Sequence, residues 1–234
     1  MSKYSTYFFA LIGLYCLGSP GLISAIDIET VFLKMNHKKF QESLRPFVYP
    51  EFYTEPGKSA KVNSAQVREI YHMYAKAGIV DLKNHYIYFD KDSATGGYKR
   101  TYVLYFSAEG HPIFVGSDRN SSSHDRYTDF FALCQGKTGQ WTDCTYEIFP
   151  KLDFADLLIS GAKLNKSLIQ LLALYYELPR NGTKVQLKVI YDDYTYSNME
   201  PNQITPMDKE LKKFRKQRFS LVWDKENQKM VLAE

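Results

Sequence analysis

The segment Ser117-Asp118-Arg119-Asn120-Ser121-Ser122-Ser123-His124-Asp125 gathers hydroxyls, an imidazole and carboxylates between two aromatic-rich runs. Nucleophilic catalysis needs those groups in a chain of contacts, with a base touching the nucleophile and an acid orienting the base. Immediate sequence neighbours rarely supply that geometry, and the chain has no Gly-x-Ser-x-Gly turn to lift a serine above a sheet. The segment therefore reads as a solvated loop, in which Asp118, Arg119, His124 and Asp125 are placed to meet a ligand and no residue is assigned a catalytic role.

Other chemistries find less support. The histidines at 37, 72, 85, 111 and 124 are scattered, and none repeats at the i, i+4 spacing that sets two imidazoles on one helix face. His124 with Asp125 and Asp129 would need further ligands from elsewhere, so no metal and no cofactor is expected. Gly96-Gly97 lacks the glycine spacing and the following Lys-Ser/Thr of a phosphate-cradling loop. The acidic pairs Asp192-Asp193 and Asp153 with Asp156 suit glycosidase-like acid and base roles in type. Their simpler readings are a turn and a helix N-terminus.

The strongest charge feature is the run from Lys209 to Arg218, in which Glu210 faces six cations. Within it, Lys212, Lys213, Arg215 and Lys216 are candidates to meet an anionic lipid head group, a glycan or an acidic protein. Leu211 and Phe214 fall on one side of a helix, so the plainer alternative is a solvated helical or helix-to-strand face. The formal net charge of the whole chain, +4, is too small to argue for nucleic acid as a partner.

These residues must be positioned by a chain that opens with an export address. Lys3, an apolar run from Tyr7 to Leu17, the breakers Gly18 to Gly21 and the small-residue exit before Ile26 match a signal peptide over 1–25. The apolar core is shorter than the roughly 20 residues needed to span a bilayer, and no later segment approaches that length. Removal leaves about 210 residues, enough to bury a real core as a single α+β domain over 26–234, with two β subdomains (84–150 and 172–234) as the alternative division.

Cys16 leaves with the signal, and Cys134 and Cys144 remain as an even pair in an oxidising compartment. A two-residue Thr138-Gly139 turn between them would send the two thiols to opposite faces. A three-residue Lys137-Thr138-Gly139 loop, with Gly139 left-handed, would put both on one face as diagonal neighbours. Such neighbours sit at or beyond the usual disulfide limit of about 7 Å between alpha carbons, so Cys134 and Cys144 are a candidate disulfide, with two separate buried thiols as the alternative.

Periodicity predicts an amphipathic helix from Ile26 to about Gln41, then a connecting loop through Pro46, Pro50 and Pro56. It predicts a second helix capped by Asn63 with Gln66, carrying Val67, Ile70, Tyr71 and Tyr74 on one face and ending at Gly78. The period then changes to two. Strands are expected at His85–Asp90, Lys99–Ser107, His111–Ser117, Arg126–Gln135 and Gln140–Tyr146, followed by a short helix from Phe154 to Ile159 capped by Asp153. Further strands are expected at Ala173–Leu178, Lys184–Tyr191, Arg218–Asp224 and Lys229–Ala233. The fold class is α+β, mostly antiparallel sheet or meanders, with N-terminal and central helices.

The run Gly139-Gln140-Trp141-Thr142-Asp143-Cys144-Thr145, with Phe149-Pro150-Lys151-Leu152 after it and Tyr176 to Thr183 later, resembles uncharacterised exported bacterial proteins. In those, a strand pair ends in a Gly-x-Trp-x-Asp-Val-Thr-like run, and here Cys144 stands at the apolar position. The resemblance implies bacterial export and an α+β fold, and brings no activity or functional residue with it. Together these observations predict a secreted or periplasmic, non-catalytic binding module. Its partner would be a protein or an anionic envelope component. The alternatives are a hydrolase using scattered carboxylates or His124, and a passive structural component of the envelope.

Overall fold

The computed structural model describes residues 26–48, 62–93, 96–121, 126–191 and 201–233. The expected signal peptide, Pro50, Pro56, His124, Asp125 and Asp192-Asp193 lie outside these residues. The chain is α+β, built on two antiparallel sheets. The first has six strands in sequence order: β1 (Ile79–Asp81), β2 (Tyr86–Ser93), β3 (Gly96–Phe106), β4 (Pro112–Ser121), β5 (Arg126–Gln135) and β6 (Trp141–Asp143). The second is ordered β10-β9-β8-β7, from β7 (Leu172–Glu177), β8 (Val185–Tyr191), β9 (Arg218–Asp224) and β10 (Lys229–Ala233).

Three helices, α1 (Ile28–Lys34), α2 (Lys38–Val48) and α3 (Ser64–Ala77), share a core with one face of the first sheet. Asp27 starts α1 by accepting from the Thr30 backbone N–H at 2.7 Å. Asn63 and Gln66 start α3 with the expected reciprocal capping box, and its buried face is Val67, Ile70, Tyr71 and Tyr74. The single helix expected over 26–41 is broken at Met35, whose backbone is extended, and the chain restarts as α2, which continues through Pro46. The proline therefore lies inside a helix rather than in a loop. Phe32, Phe40, Tyr102 and Phe114 interlock across this core, four of their contacts being edge-to-face at 5.0 to 5.9 Å.

The opposite face of the first sheet packs on the second. Tyr86, Val103, Ile113, Val115 and Ala132 share a cluster with Leu178, Val185, Leu221 and Met230. Phe130 stacks on Tyr176 at 4.0 Å, and the Ser117 hydroxyl donates to the Tyr176 carbonyl across the same junction. The rest of the second sheet's apolar face, Leu187, Val189, Tyr191 and Phe219, is covered by Leu157 of α5 (Phe154–Leu157), Leu168 of α6 (Lys166–Ile169) and Met207 of α7 (Pro201–Leu211). Helix α7 was not expected from the sequence; it carries Pro206 internally.

The strand expected over Gln140–Tyr146 pairs only from Trp141 to Asp143, after which Thr145–Ile148 forms the short helix α4. Asp143 causes the change, because its Oδ1 accepts from both the backbone N–H and the hydroxyl of Thr145, at 3.1 and 2.6 Å. Gly139 has φ of 79° and the Gly136 N–H donates to Gln140 O, so the β5–β6 loop is the three-residue alternative. Cys144 accordingly sits diagonal to Cys134, with Cα atoms 5.8 Å apart, and the two are disulfide-bonded.

Gly116 is fixed by close approach, since a Cβ there would lie 2.3 Å from Cζ of Phe131. We expect Gly116→Ala to overpack the sheet and destabilise the protein by about 1 to 3 kcal/mol. Replacing both Cys134 and Cys144 by Ala should cost about 2.5 to 3 kcal/mol by loop entropy. Urea unfolding of each variant, with and without reductant, measures both; wild-type stability that is indifferent to reductant would contradict the second.

Candidate functional site

Strands β3 and β4 pair so that Arg100 faces Asp118 and Lys99 faces Arg119. Successive side chains on a strand point to opposite faces. The Arg100 row therefore lies beneath the helices, and the Lys99 row lies on the side of the second sheet. The expectation that Asp118 and Arg119 share one solvated loop is corrected here. Residues 117–121 belong to β4, and the strand pleat sends these two neighbours to different places.

Arg100 and Asp118 are both fully buried, with Arg100 Nε 3.9 Å from Asp118 Oδ1. That separation makes an ion pair but not a hydrogen bond. At an effective dielectric of about 20 the attraction is about 4 kcal/mol, while burying each ion costs several. Desolvation prevails. It pushes the Asp118 carboxyl up to about 7, against the pull of Arg100, with Asp129, its partner on β5, pushing the same way. Asp129 is itself raised by burial. Tyr102, whose hydroxyl is 3.0 Å from Ser43 Oγ, and Tyr74 are buried beside this row, and desolvation raises both phenols.

The Lys99 row opens into a cleft of about 440 Å³ between the sheets. Its first wall is Tyr86 and Tyr88 of β2, Lys99 and Thr101 of β3, and Arg119 of β4. The second is Tyr175, Glu177, Lys184, Gln186 and Lys188, with Leu178 and Pro179 at the turn. Register explains the second wall: Tyr175 pairs with Lys188 and Glu177 with Gln186, so these four occupy the face of the second sheet opposite its apolar side.

The Arg119 guanidinium lies over the Tyr175 ring, 5.8 Å from its centroid. Lys188 Nζ is 2.6 Å from Glu177 Oε2, and Lys99 Nζ is 3.2 Å from Asp90 Oδ2, which also accepts from the Tyr88 hydroxyl. Burial, followed by the nearby Glu177 charge, raises the Tyr175 phenol to about 12; burial and the bond to Asp90 raise Tyr88. Next to the lining residue Pro179, Arg180 Nε donates to Asp81 Oδ2 at 2.7 Å and ties the β7–β8 turn to β1. The cleft thus carries four cations around one lining carboxylate, on a floor of tyrosines.

The other sequence candidates are dispersed. Helix α7 ends at Leu211, so the 209–218 run is not one helical face, and Phe214 instead bridges Leu158. Lys213 is held by Glu210 and by Lys163 O, at 2.5 and 2.9 Å, while Arg215 donates to Asp156 O at 2.6 Å. Lys212 and Lys216 are exposed. Asp153 and Asp156 form the capping box of α5, the simpler of their two readings. Among the described residues no group of three or more His, Cys, Asp or Glu is arranged to hold a metal ion. Of the expected binding residues that are described, only Arg119 lines the cleft. Lys99, Lys184, Lys188 and the tyrosines were missed, although the alternation Lys184-Gln186-Lys188 against Val185-Leu187-Val189 already marked a polar strand face.

Asp118 binds its proton more tightly folded than unfolded. Its contribution to stability is therefore complete below about pH 4 and is lost as pH rises through about 7. We expect Asp118→Asn to flatten the fall in unfolding free energy between pH 4 and 8, leaving the smaller slope of Asp129; an unchanged slope in denaturant titrations would refute the assignment. Comparison of the chain with protein-family models, curated proteins and solved structures finds no match.

Proposed function

We propose that this is an exported, non-catalytic binding protein of the cell envelope or medium, which takes an anionic ligand in the cleft between its sheets. One observation carries the reading: Lys99, Arg119, Lys184 and Lys188 converge on a concave site whose lining holds the single carboxylate Glu177. Like charges are gathered at a stability cost, and an anion offsets it. Lys184 is exposed and, among the described residues, has no carboxylate partner.

Binding is favoured over hydrolysis by the lining itself. Glycosidase chemistry requires two carboxylates flanking the scissile bond. The cleft offers Glu177, and Lys188 engages it at 2.6 Å. Export draws support from the Cys134–Cys144 disulfide, since such bonds persist in oxidising compartments. The amino-terminal signal and the likeness of the Trp141 motif to exported bacterial proteins belong to the same proposal. No helix of the described residues is long and apolar enough to cross a membrane.

Native mass spectrometry of the protein isolated from its host's envelope or medium should show added mass that is lost at high salt. On a carboxylate-bearing matrix, Arg119→Ala and Lys184→Ala should each weaken retention about tenfold, equivalent to about 1.4 kcal/mol, whereas Lys212→Ala should not. Wild-type retention by both cleft variants would sink the proposal.

A further inference from the structure

The cations of the cleft continue onto the open face of the second sheet. Lys188 is the direct cross-strand partner of Arg218, and Gln186 that of Ser220, with Gln186 Nε2 donating to Ser220 Oγ at 3.2 Å. These residues share the face that carries Tyr175 and Glu177. Arg218 is exposed and has no carboxylate partner among the described residues, and Lys216 is exposed two residues before it. The basic run that stood out in the sequence therefore ends beside the cleft. It supplies Lys216 and Arg218 to this face, while Lys213 and Arg215 are engaged by Glu210 and Asp156.

The pattern on this face separates the classes of polyanion. Along β8 the order is Lys184, Gln186, Lys188, and along β9 it is Arg218, Ser220, so a neutral hydrogen-bonding group stands between or beside the charges. Lys184 and Lys188 are about 13 Å apart along the strand. Duplex DNA presents one charge per about 1.7 Å of axis, far denser than these cations can match. A membrane surface cannot follow a concave cleft of about 440 Å³. A chain with separated carboxylates and hydroxyls between them fits both the cations and the interleaved Gln186, Ser220 and Glu177.

We infer that the cleft and the open face of the second sheet form one continuous track for a linear acidic polysaccharide of uronate type. A terminal or internal sugar sits against Lys99, Arg119 and Lys184, and the chain runs out over Lys188, Arg218 and Lys216. This rests on the reading of the cleft as an anion site and adds the ligand's class and its length.

The test is a calorimetric titration of the full protein with oligogalacturonates of two, four and eight units, a neutral oligosaccharide of eight units, and a short DNA duplex. Affinity should rise at least tenfold from two to eight units and fall with salt. Lys216→Gln with Arg218→Gln should remove the gain with length while two-unit binding persists. Arg119→Ala should weaken every length. Affinity independent of length in the unaltered protein would overturn the track and leave the cleft reading standing. Tighter binding of the duplex or of the neutral chain would overturn the polysaccharide class. No binding of any acidic chain by the unaltered protein would overturn both readings. The length series on the unaltered protein decides the matter even if the double variant misfolds.

Discussion

The pleat of two adjacent strands, β3 and β4, governs what this protein can do. Because Arg100 pairs with Asp118 and Lys99 with Arg119, one step along the chain separates a dry interior from a wet cleft. A one-residue slip of β3 would drive Lys99 under the helices and turn Arg100 to the cleft side, and a slip of β4 would do the same to Arg119 and Asp118. The aromatic packing of Tyr102 and Phe114 against Phe40, with the ring of Phe131 filling the space beside Gly116, works against such a slip. The core on the helical side therefore sets the position of cations on the other side.

The buried row costs stability, and its partial neutralisation limits that cost. With Asp118 raised to about 7, the protein trades a carboxylate charge for a proton near neutrality instead of holding a full ion pair at 3.9 Å. Replacing such pairs by apolar residues is often neutral or stabilising in other proteins. Here the pair accords with a role in specifying register, since the alignment that sets Arg100 against Asp118 brings the two buried charges within 3.9 Å. The same alignment places Arg119 over Tyr175.

Much of the scaffold was legible in the sequence because its signals are local. The Asn63–Gln66 capping box, the alternation along β8, the Gly139 loop and the Asp153 cap each depend on residues within a few positions of one another. What was misread depends on distant partners. Asp118 and Arg119 look like loop residues because β4 carries polar side chains, and only Arg100 under the helices and the second sheet opposite give them places to go. Pro46 reads as a breaker, yet α2 continues through it. The cleft was invisible because its two walls come from residues 86–119 and 175–188, and no spacing within either segment shows that they face each other.

The arrangement of charge across the second sheet departs from what stability and solubility alone would favour. Its apolar side is covered by α5, α6 and α7, so the opposite side is free to carry whatever solubility allows. Solubility alone is served by mixed signs, and cross-strand pairs of opposite charge are the stabilising choice. Glu177 with Lys188 follows that rule at 2.6 Å, but the strand partner of Lys188 is Arg218, a second cation. Glu177 offsets one charge of that pair, and the remainder points the same way as Lys184, Lys99 and Arg119. Glu177 on Lys188 and Asp90 on Lys99 offset two of these cations, while Lys184 and Arg218 have no carboxylate partner among the described residues, so positive potential remains where the sheet surface turns inward to become the cleft.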